Sequence, residues 1–245
     1  MIICIVNYSK KRTMNLNKIF KFSKKYPNPV RNKQCGEFEV DNWLISEFVM
    51  KELVPIVGIH PYPLNELMLM TGVLCTLRPT HVFEWGTNLG KSARIFYEIT
   101  KHFSILCEIH STDLPDNVKH KEHPRQNRGI FVKDISQVRL YQGDGLNTSL
   151  ALCKDIHKKS QPLFFLDGDH EYRSVKRELD NILENVSNAS ILVHDTFFQS
   201  SRSKYNIGPY KAVCTTLRQV PDKYKIISTN MGLPGMTLLY ENRNK

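Results

Sequence analysis

Residues 81–90 read HVFEWGTNLG and residues 162–170 read PLFFLDGDH: each is a short apolar run that closes on an acid and a glycine. An uninterrupted apolar run of this length suits a strand buried on both faces, the condition of a parallel sheet covered by helices. Working outward, the same pattern recurs in SILCEIHSTDL (104–114), VRLYQGD (138–144) and ASILVHDTF (189–197). Between these strands lie amphipathic stretches. LGKSARIFYEITKHF (89–103) places Ala93, Phe96, Tyr97 and Thr100 at helical spacing, and SVKRELDNILENV (174–186) does so with Val175, Leu179, Ile182 and Val186. Strands alternating with helices predict a doubly wound, mostly parallel α/β sheet. A helix is expected near 208–219. KYKIISTN and MTLLYEN, around Met231-Gly-Leu-Pro-Gly, read as an antiparallel C-terminal hairpin. The polar stretch 115–137 is weakly periodic and reads as a mobile crossover.

Upstream, residues 41–54 read as a helix capped by Asp41 that buries Trp43, Leu44, Phe48 and Leu53. Pro55, Gly58, Pro61 and Pro63 then break the chain into a loop. A second helix over 64–77 buries Leu67, Met70, Leu74 and Leu77. The chain divides into a basic arm (1–34), a helical extension or lid (35–80) and an α/β domain (81–245).

The chain has 245 residues, a net charge of +10 and 41% apolar residues, enough for a sizeable core. No apolar run approaches the roughly 20 residues of a membrane span, and the patch Met1–Val6 is too short for a signal peptide. Residues 1–34 carry nine basic side chains and no acidic one, so the remainder is close to neutral. The charge is an arm, not a basic enzyme, and it reads as a solvated leader; Met14 offers an alternative start. Cys4, Cys35, Cys75, Cys107, Cys153 and Cys214 are scattered without a C-x-x-C pair, which points to reduced thiols and a cytoplasmic setting.

In an open α/β sheet the ligand sits beyond the carboxyl ends of the strands. The five strands end at Glu84-Trp-Gly-Thr-Asn-Leu-Gly90, Asp113, Gly143-Asp144, Asp167-Gly-Asp-His170 and His194-Asp195-Thr196. A dinucleotide site needs G-x-G-x-x-G so that backbone amides approach a pyrophosphate. Here the spacing is Gly86-x-x-x-Gly90, and Glu84 would repel phosphate. The same acid suits a cofactor bearing an amino group and a sulfonium. Asp113 can accept from two ribose hydroxyls and Asp144 from an adenine amino group.

At these residues the chain resembles class I S-adenosylmethionine-dependent methyltransferases. FEWGTNLGKS resembles their acid-x-Gly-x-x-x-Gly motif. FLDGDHEYRSVKRELD followed by ILVHDTF is similar to the branch of small-molecule and sugar O-methyltransferases, the macrocin-type and cephalosporin-hydroxylase-like families. The resemblance spans roughly 63–243 and implies a seven-stranded Rossmann-like sheet with an antiparallel final pair. S-adenosylmethionine would lie over strands one to three, held by Glu84, Gly86, Thr87, Asn88, Gly90, Lys91, Ser92, Asp113, Gly143, Asp144 and Asp167. A small-molecule acceptor would lie over strands four and five.

Methyl transfer is an in-line displacement, so an alcohol or phenol acceptor must also lose its proton. His170, three residues past Asp167, is the candidate base, with Asp167 beside it. Asp167 and Asp195 resemble the ligands of metal-dependent relatives, with Mg2+ as the candidate ion. His194 or Thr196 stands where those relatives carry Glu or Asn, and this leaves the metal open. Asp169 reads as a helix N-cap, Trp85 as packing, His60 as exposed and Tyr210 as a minor acceptor contact. Two rival readings stand beside the enzyme: an RNA methyltransferase that uses the basic arm, and a non-catalytic methyltransferase fold serving as an interaction subunit. The first lacks an Asn-Pro-Pro-Tyr-type motif, so a nucleic-acid partner is not expected, nor is a membrane; a homo-oligomer is left open.

Overall fold

The computed structural model describes residues 28–33, 35, 38–120, 124–156, 160–198, 205–229 and 231–241. Most of the basic arm lies outside these residues. Seven strands, β1 (His81–Trp85), β2 (Glu108–Asp113), β3 (Val138–Gln142), β4 (Pro162–Leu166), β5 (Ser190–His194), β6 (Tyr224–Ser228) and β7 (Met236–Glu241), form one sheet. Its order is β3-β2-β1-β4-β5-β7-β6. The first five strands are parallel, and β7 runs antiparallel to both β5 and β6. The expected doubly wound sheet with a C-terminal hairpin is therefore the observed architecture. β4 and β5 are buried along their whole length, as their unbroken apolar sequences require.

The order reverses between β1 and β4, because the chain winds outward through β2 and β3 before crossing back. The loops after these two strands separate there and open a crevice.

Helices cover both faces: α1 (Asn42–Phe48), α2 (Leu64–Leu77), α3 (Lys91–His102), α4 (Gly145–Cys153), α5 (Tyr172–Asn185) and α6 (Gly208–Gln219). Side chains alternate across each strand, so Val82 faces one core with Phe165 and Leu192, and Phe83 faces the other with Phe164 and Ile191. α1, α2 and α3 fill the first core through Ile45, Phe48, Leu67, Met70, Leu74 and Phe96. The helices before β1 thus share one core with the sheet. α5 and α6 pack on the second, where Val175, Leu179 and Ile182 are buried.

Several expectations change in detail. Asp41 caps α1, accepting from the Trp43 and Leu44 amides at 3.2 Å. Trp43, however, is 78% exposed, and Ile45 takes the buried place. The helix continues through a π turn (Val49–Leu53) and a last turn (Val54–Val57), past Pro55, and stops at Gly58 with φ 71°. The extra residue of a π turn rotates the apolar face. Pro55 is tolerated because it opens an α turn, where an amide would have no partner. The described part of 115–137 is no mobile crossover. Gly129 and Phe131 amides donate to the Asn88 and Leu89 carbonyls at 2.9 and 3.0 Å, and Val132 is buried. Among the described residues no helix is long and apolar enough to cross a membrane.

Candidate active site

A cleft of about 1270 Å³ runs along the carboxyl ends of the strands, from Asp113 and Asp144 at one end to His170, Asp195 and Tyr205 at the other. Residues 86–89 form its floor, whereas Gly90, expected to touch the cofactor, does not line it. Gly86 has φ 95°, and a Cβ there would fall 2.4 Å from the Asp167 carbonyl oxygen. Only glycine fits where the β1 and β4 loops touch. Gly90 has φ 83°, and its Cβ would fall 2.9 Å from Val132. The two glycines thus let the loop pack closely on the β4 loop and on the 129–132 segment.

Beneath that floor Glu84 is 1% exposed. Ser111 donates to its Oε1 at 2.6 Å, and Thr87 Oγ1 lies 2.6 Å from the Ser111 hydroxyl. Glu84 Oε2 is buried with no hydrogen-bond partner among the described residues. Burial pushes the Glu84 pKa up to about 7, against the opposing Ser111 bond. Oε2 is thus an unsatisfied acceptor buried just below the cleft lining.

Asp113 accepts from the Asn88 amide at 2.9 Å and from the Leu114 amide at 2.8 Å, which leaves each oxygen room for a hydroxyl. Arg128, from the segment expected to be mobile, stands 3.5 Å from Asp113 and 2.7 Å from Asp116. Asp144 caps α4 through the Asn147 amide and pairs with Arg177 at 2.7 Å, so the carboxylate expected to meet adenine is already committed. The Arg177 and Asn147 bonds hold its pKa below the ordinary value against burial. Gly143 and Asp144 still line the cleft, as do Thr87, Asn88, Lys91 and Ser92. Lys91 Nζ donates to the His60 carbonyl at 2.5 Å, fastening the Pro-rich loop over the cofactor end. His60 is exposed, as expected, yet lines the cleft. Trp85 is packing: a Cβ on Gly145 would fall 2.2 Å from its own Cβ.

The other end is built from side chains of distant segments. His194 sits at the end of β5, on the face of the sheet that α2 covers. Its Nδ1 lies 2.8 Å from Asp167 Oδ1, and its Nε2 lies 3.0 Å from Glu66 Oε2 on α2. Glu66 is 0% exposed, and its second oxygen accepts from the Gly235 amide at 2.8 Å. The buried Tyr62 hydroxyl donates to Asp167 Oδ2 at 2.5 Å. Burial works against a charge on His194, but Asp167, Glu66 and Asp195 together hold its pKa well above the ordinary value.

Asp195 follows at φ 56°, a left-handed conformation that Asp adopts more readily than most residues. It aims one oxygen at His170 Nδ1, 2.9 Å away, and accepts the Tyr205 hydroxyl on the other. The Asp195 bond raises the His170 pKa although burial lowers it. Asp169 does not occupy the N-cap of α5, which is Glu171. It accepts from the Glu171 amide at 3.0 Å and from the Ser174 hydroxyl, closing the turn just before. Tyr210 is not part of the cleft and stacks on Phe198 at 4.9 Å. Tyr205, Asn206, Leu233 and Pro234 take the acceptor side instead.

One donor atom from each of Asp167, His194 and Asp195 lies within 4.8 Å of the others. Glu66 behind His194 and Tyr62 behind Asp167 supply the outer hydrogen bonds that orient ligands in metal sites. The set fits a divalent cation, which would replace the proton between Asp167 and His194. A nitrogen donor beside two carboxylates suits Mn2+, Fe2+ or Zn2+ better than Mg2+.

Residues 83–196 match the model of a family described as a methyltransferase domain, and that segment holds every strand end that lines the cleft. The whole architecture matches solved methyltransferases of low identity. PaMTH1 of Podospora anserina, solved with bound SAH, superposes at TM-score 0.53 with 14% identity, covering 97% of this chain and 99% of that one. The O-methyltransferase TomG of Streptomyces achromogenes, in complex with SAM, gives 0.53 at 11% identity, covering 92% and 96%. The O-methyltransferase of Bacillus cereus, in complex with SAH, gives 0.53 at 10% identity, covering 91% and 97%. No curated protein matches the chain by sequence. The matched segment begins within β1, yet Tyr62 and Glu66 reach the cleft from outside it.

Sequence reasoning missed Tyr62, Glu66, Tyr205 and Arg128. The Pro61-Tyr62-Pro63 turn was the only signal for Tyr62. A glutamate one turn into an apolar helix was the only one for Glu66.

Proposed function

We propose that the protein is an S-adenosylmethionine-dependent O-methyltransferase acting on a small-molecule hydroxyl, of a sugar or a secondary metabolite, in the cytoplasm. One observation carries the reading. A single cleft joins a glycine loop over an orphaned Glu84 oxygen to the paired His170 and Asp195. The SAM and SAH bound in similarly folded proteins support the choice of methyl donor.

S-adenosylmethionine would supply an activated methyl group on a cationic sulfur. Glu84, beneath the Gly86–Gly90 loop, answers the positive charge, and Asp113 takes the ribose hydroxyls. At the other end Asp195 holds His170 by Nδ1, so Nε2 is the nitrogen that takes the acceptor's proton as its oxygen forms the new bond to carbon. The products are a methyl ether and the neutral thioether, with the proton left on His170. Asp167, His194 and Asp195 are the residues that would hold a divalent cation, which would stabilise the acceptor's alkoxide. Tyr62 and Glu66 fix those side chains in place.

Calorimetry with S-adenosylhomocysteine tests the first half: binding that weakens strongly in Asp113→Ala is expected, and no binding by the wild type overturns it. Mass spectrometry of hydroxylated metabolites incubated with labelled S-adenosylmethionine tests the second. Label appearing only in RNA would favour the rival acceptor class.

A further inference from the structure

A second group of ligating side chains lies at the opposite end of the sheet from the cleft. His81 opens β1, Glu108 opens β2, and His110 lies two residues further along β2. β1 and β2 pair in parallel with His81 beside Glu108 and Phe83 beside His110. By alternation all three side chains rise from one face. One donor atom from each lies within 4.8 Å of the others.

A separate observation points to a ligand. His110 is 5% exposed, and its Nε2 is buried with no hydrogen-bond partner among the described residues. The nearest carboxylate oxygen, Glu108 Oε2, stands 3.7 Å away, too far for a hydrogen bond. His110 Nδ1 lies 3.0 Å from the Tyr141 hydroxyl, and His81 Nδ1 lies 2.9 Å from Thr80 Oγ1. Each ring is thus oriented through one nitrogen and offers the other. Burial lowers both imidazole pKa values, that of His110 to about 4, so each ring carries a free lone pair at neutral pH.

We propose that His81, Glu108 and His110 form a binding site for Zn2+ or a similar transition-metal ion, separate from the cleft. Two imidazoles and one carboxylate are a zinc ligand set, with the fourth position left to water. The present spacing is wider than in a closed tetrahedron. Glu108 is exposed and His81 half-buried, so both can swing inward while His110 stays fixed. Arg139 competes: its guanidinium stands 3.0 Å from Glu108 Oε2, and the ion must take that oxygen from it. Once bound, the metal cross-links two neighbouring strands and stabilises the folded state by mass action.

The test uses the full chain, stripped with a chelator and then titrated. Zn2+ alone is followed by calorimetry, and Co2+ alone by its visible absorption. The proposal expects an uptake event, separate from any in the cleft, that survives in Asp195→Asn and that, in that background, weakens about tenfold or more in His81→Asn and in Glu108→Gln and tightens in Arg139→Gln. Zn2+ should raise the unfolding temperature of Asp195→Asn and not of the Asp195→Asn, His81→Asn double variant. These positions are not buried, and far-UV circular dichroism verifies that the variants fold. No Zn2+ uptake by the wild type overturns the proposal. So does uptake by Asp195→Asn that His81→Asn and Glu108→Gln leave unchanged, or uptake that is lost entirely in Asp195→Asn, which belongs to the cleft.

Discussion

The two ends of the cleft are made in different ways. At the β1–β3 end the cleft is lined by the loop that follows β1 and by the ends of β2 and β3, with Gly86 packed on the β4 loop and Glu84 buried beneath. Its groups come from residues a few positions apart, or from strands paired side by side. At the β4–β5 end the surface is a side-chain network. Tyr62 meets Asp167 across 105 residues of sequence, and Glu66 meets His194 across 128. The first end recognises a fixed partner by shape. The second is a set of proton-bearing groups whose positions depend on a helix outside residues 83–196. One fold can therefore keep its methyl donor and change its acceptor.

If the division is right, damage to one end should spare the other. The largest effect is expected from His170→Ala, which should lower kcat by about 10²–10⁴-fold and leave S-adenosylhomocysteine affinity unchanged. Rate measurements paired with calorimetry check this, and parallel losses in both would erase the distinction. Because Asp195 raises the His170 pKa, wild-type kcat/KM should climb with pH through a value above 6.5. Glu66→Ala comes next. It leaves His194 with one buried partner fewer and frees the Gly235 amide, so chemical denaturation should show a loss of about 3–5 kcal/mol.

The cofactor end has its own signature. The Glu84 pKa is about 7 folded against 4.5 unfolded, so the folded state holds its proton longer. The Glu84 contribution to the stability of the ligand-free protein should be full below pH 4.5, fall as the pH rises, and be lost above about 7. That fall is up to about 3 kcal/mol, an upper bound for a buried group. Glu178, raised to about 8 by burial, adds a fall of the same sign. Denaturation from pH 4 to 9 should therefore be shallower in Glu84→Gln by about one proton. An equal slope in the variant would remove Glu84 as the titrating group. The smallest effect is expected from Tyr62→Phe, which deletes one hydrogen bond to Asp167. A loss of about 1 kcal/mol, read as a tenfold or smaller fall in kcat/KM, would place Tyr62 as an orienting group.

Legibility followed the same division. β4 and β5 were readable because an unbroken apolar run that stops at an acid or glycine marks a buried parallel strand and its loop. Gly86, Gly90, Glu84 and Asp113 were readable because local spacing alone puts them at strand ends. Trp43 misled because, five residues from Phe48 in a regular helix, it faces about 140° away from it, whereas Ile45, three residues away, shares its side; the π turn that follows is what brings Leu53 back to that side. Asp144 was placed in the cleft, but its pairing with Arg177 depends on how α5 packs beside α4. Cys75 and Cys107 behave as the small apolar residues they were read to be, with burial pushing both thiols up to about 12.

By itself, the sequence determined the alternation of strands and helices, the glycine loop and the row of acids at the strand ends. Those properties are local, set by side-chain period and by backbone freedom at a few positions. Tertiary structure alone decided which of the acids hold a histidine, which are spent on caps and arginines, and which buried atoms lack partners. Such facts depend on contacts between residues a hundred positions apart. The strand order that brings β4 and β5 beneath α2 creates the Tyr62–Asp167–His194–Glu66 network, and no spacing within one segment encodes it.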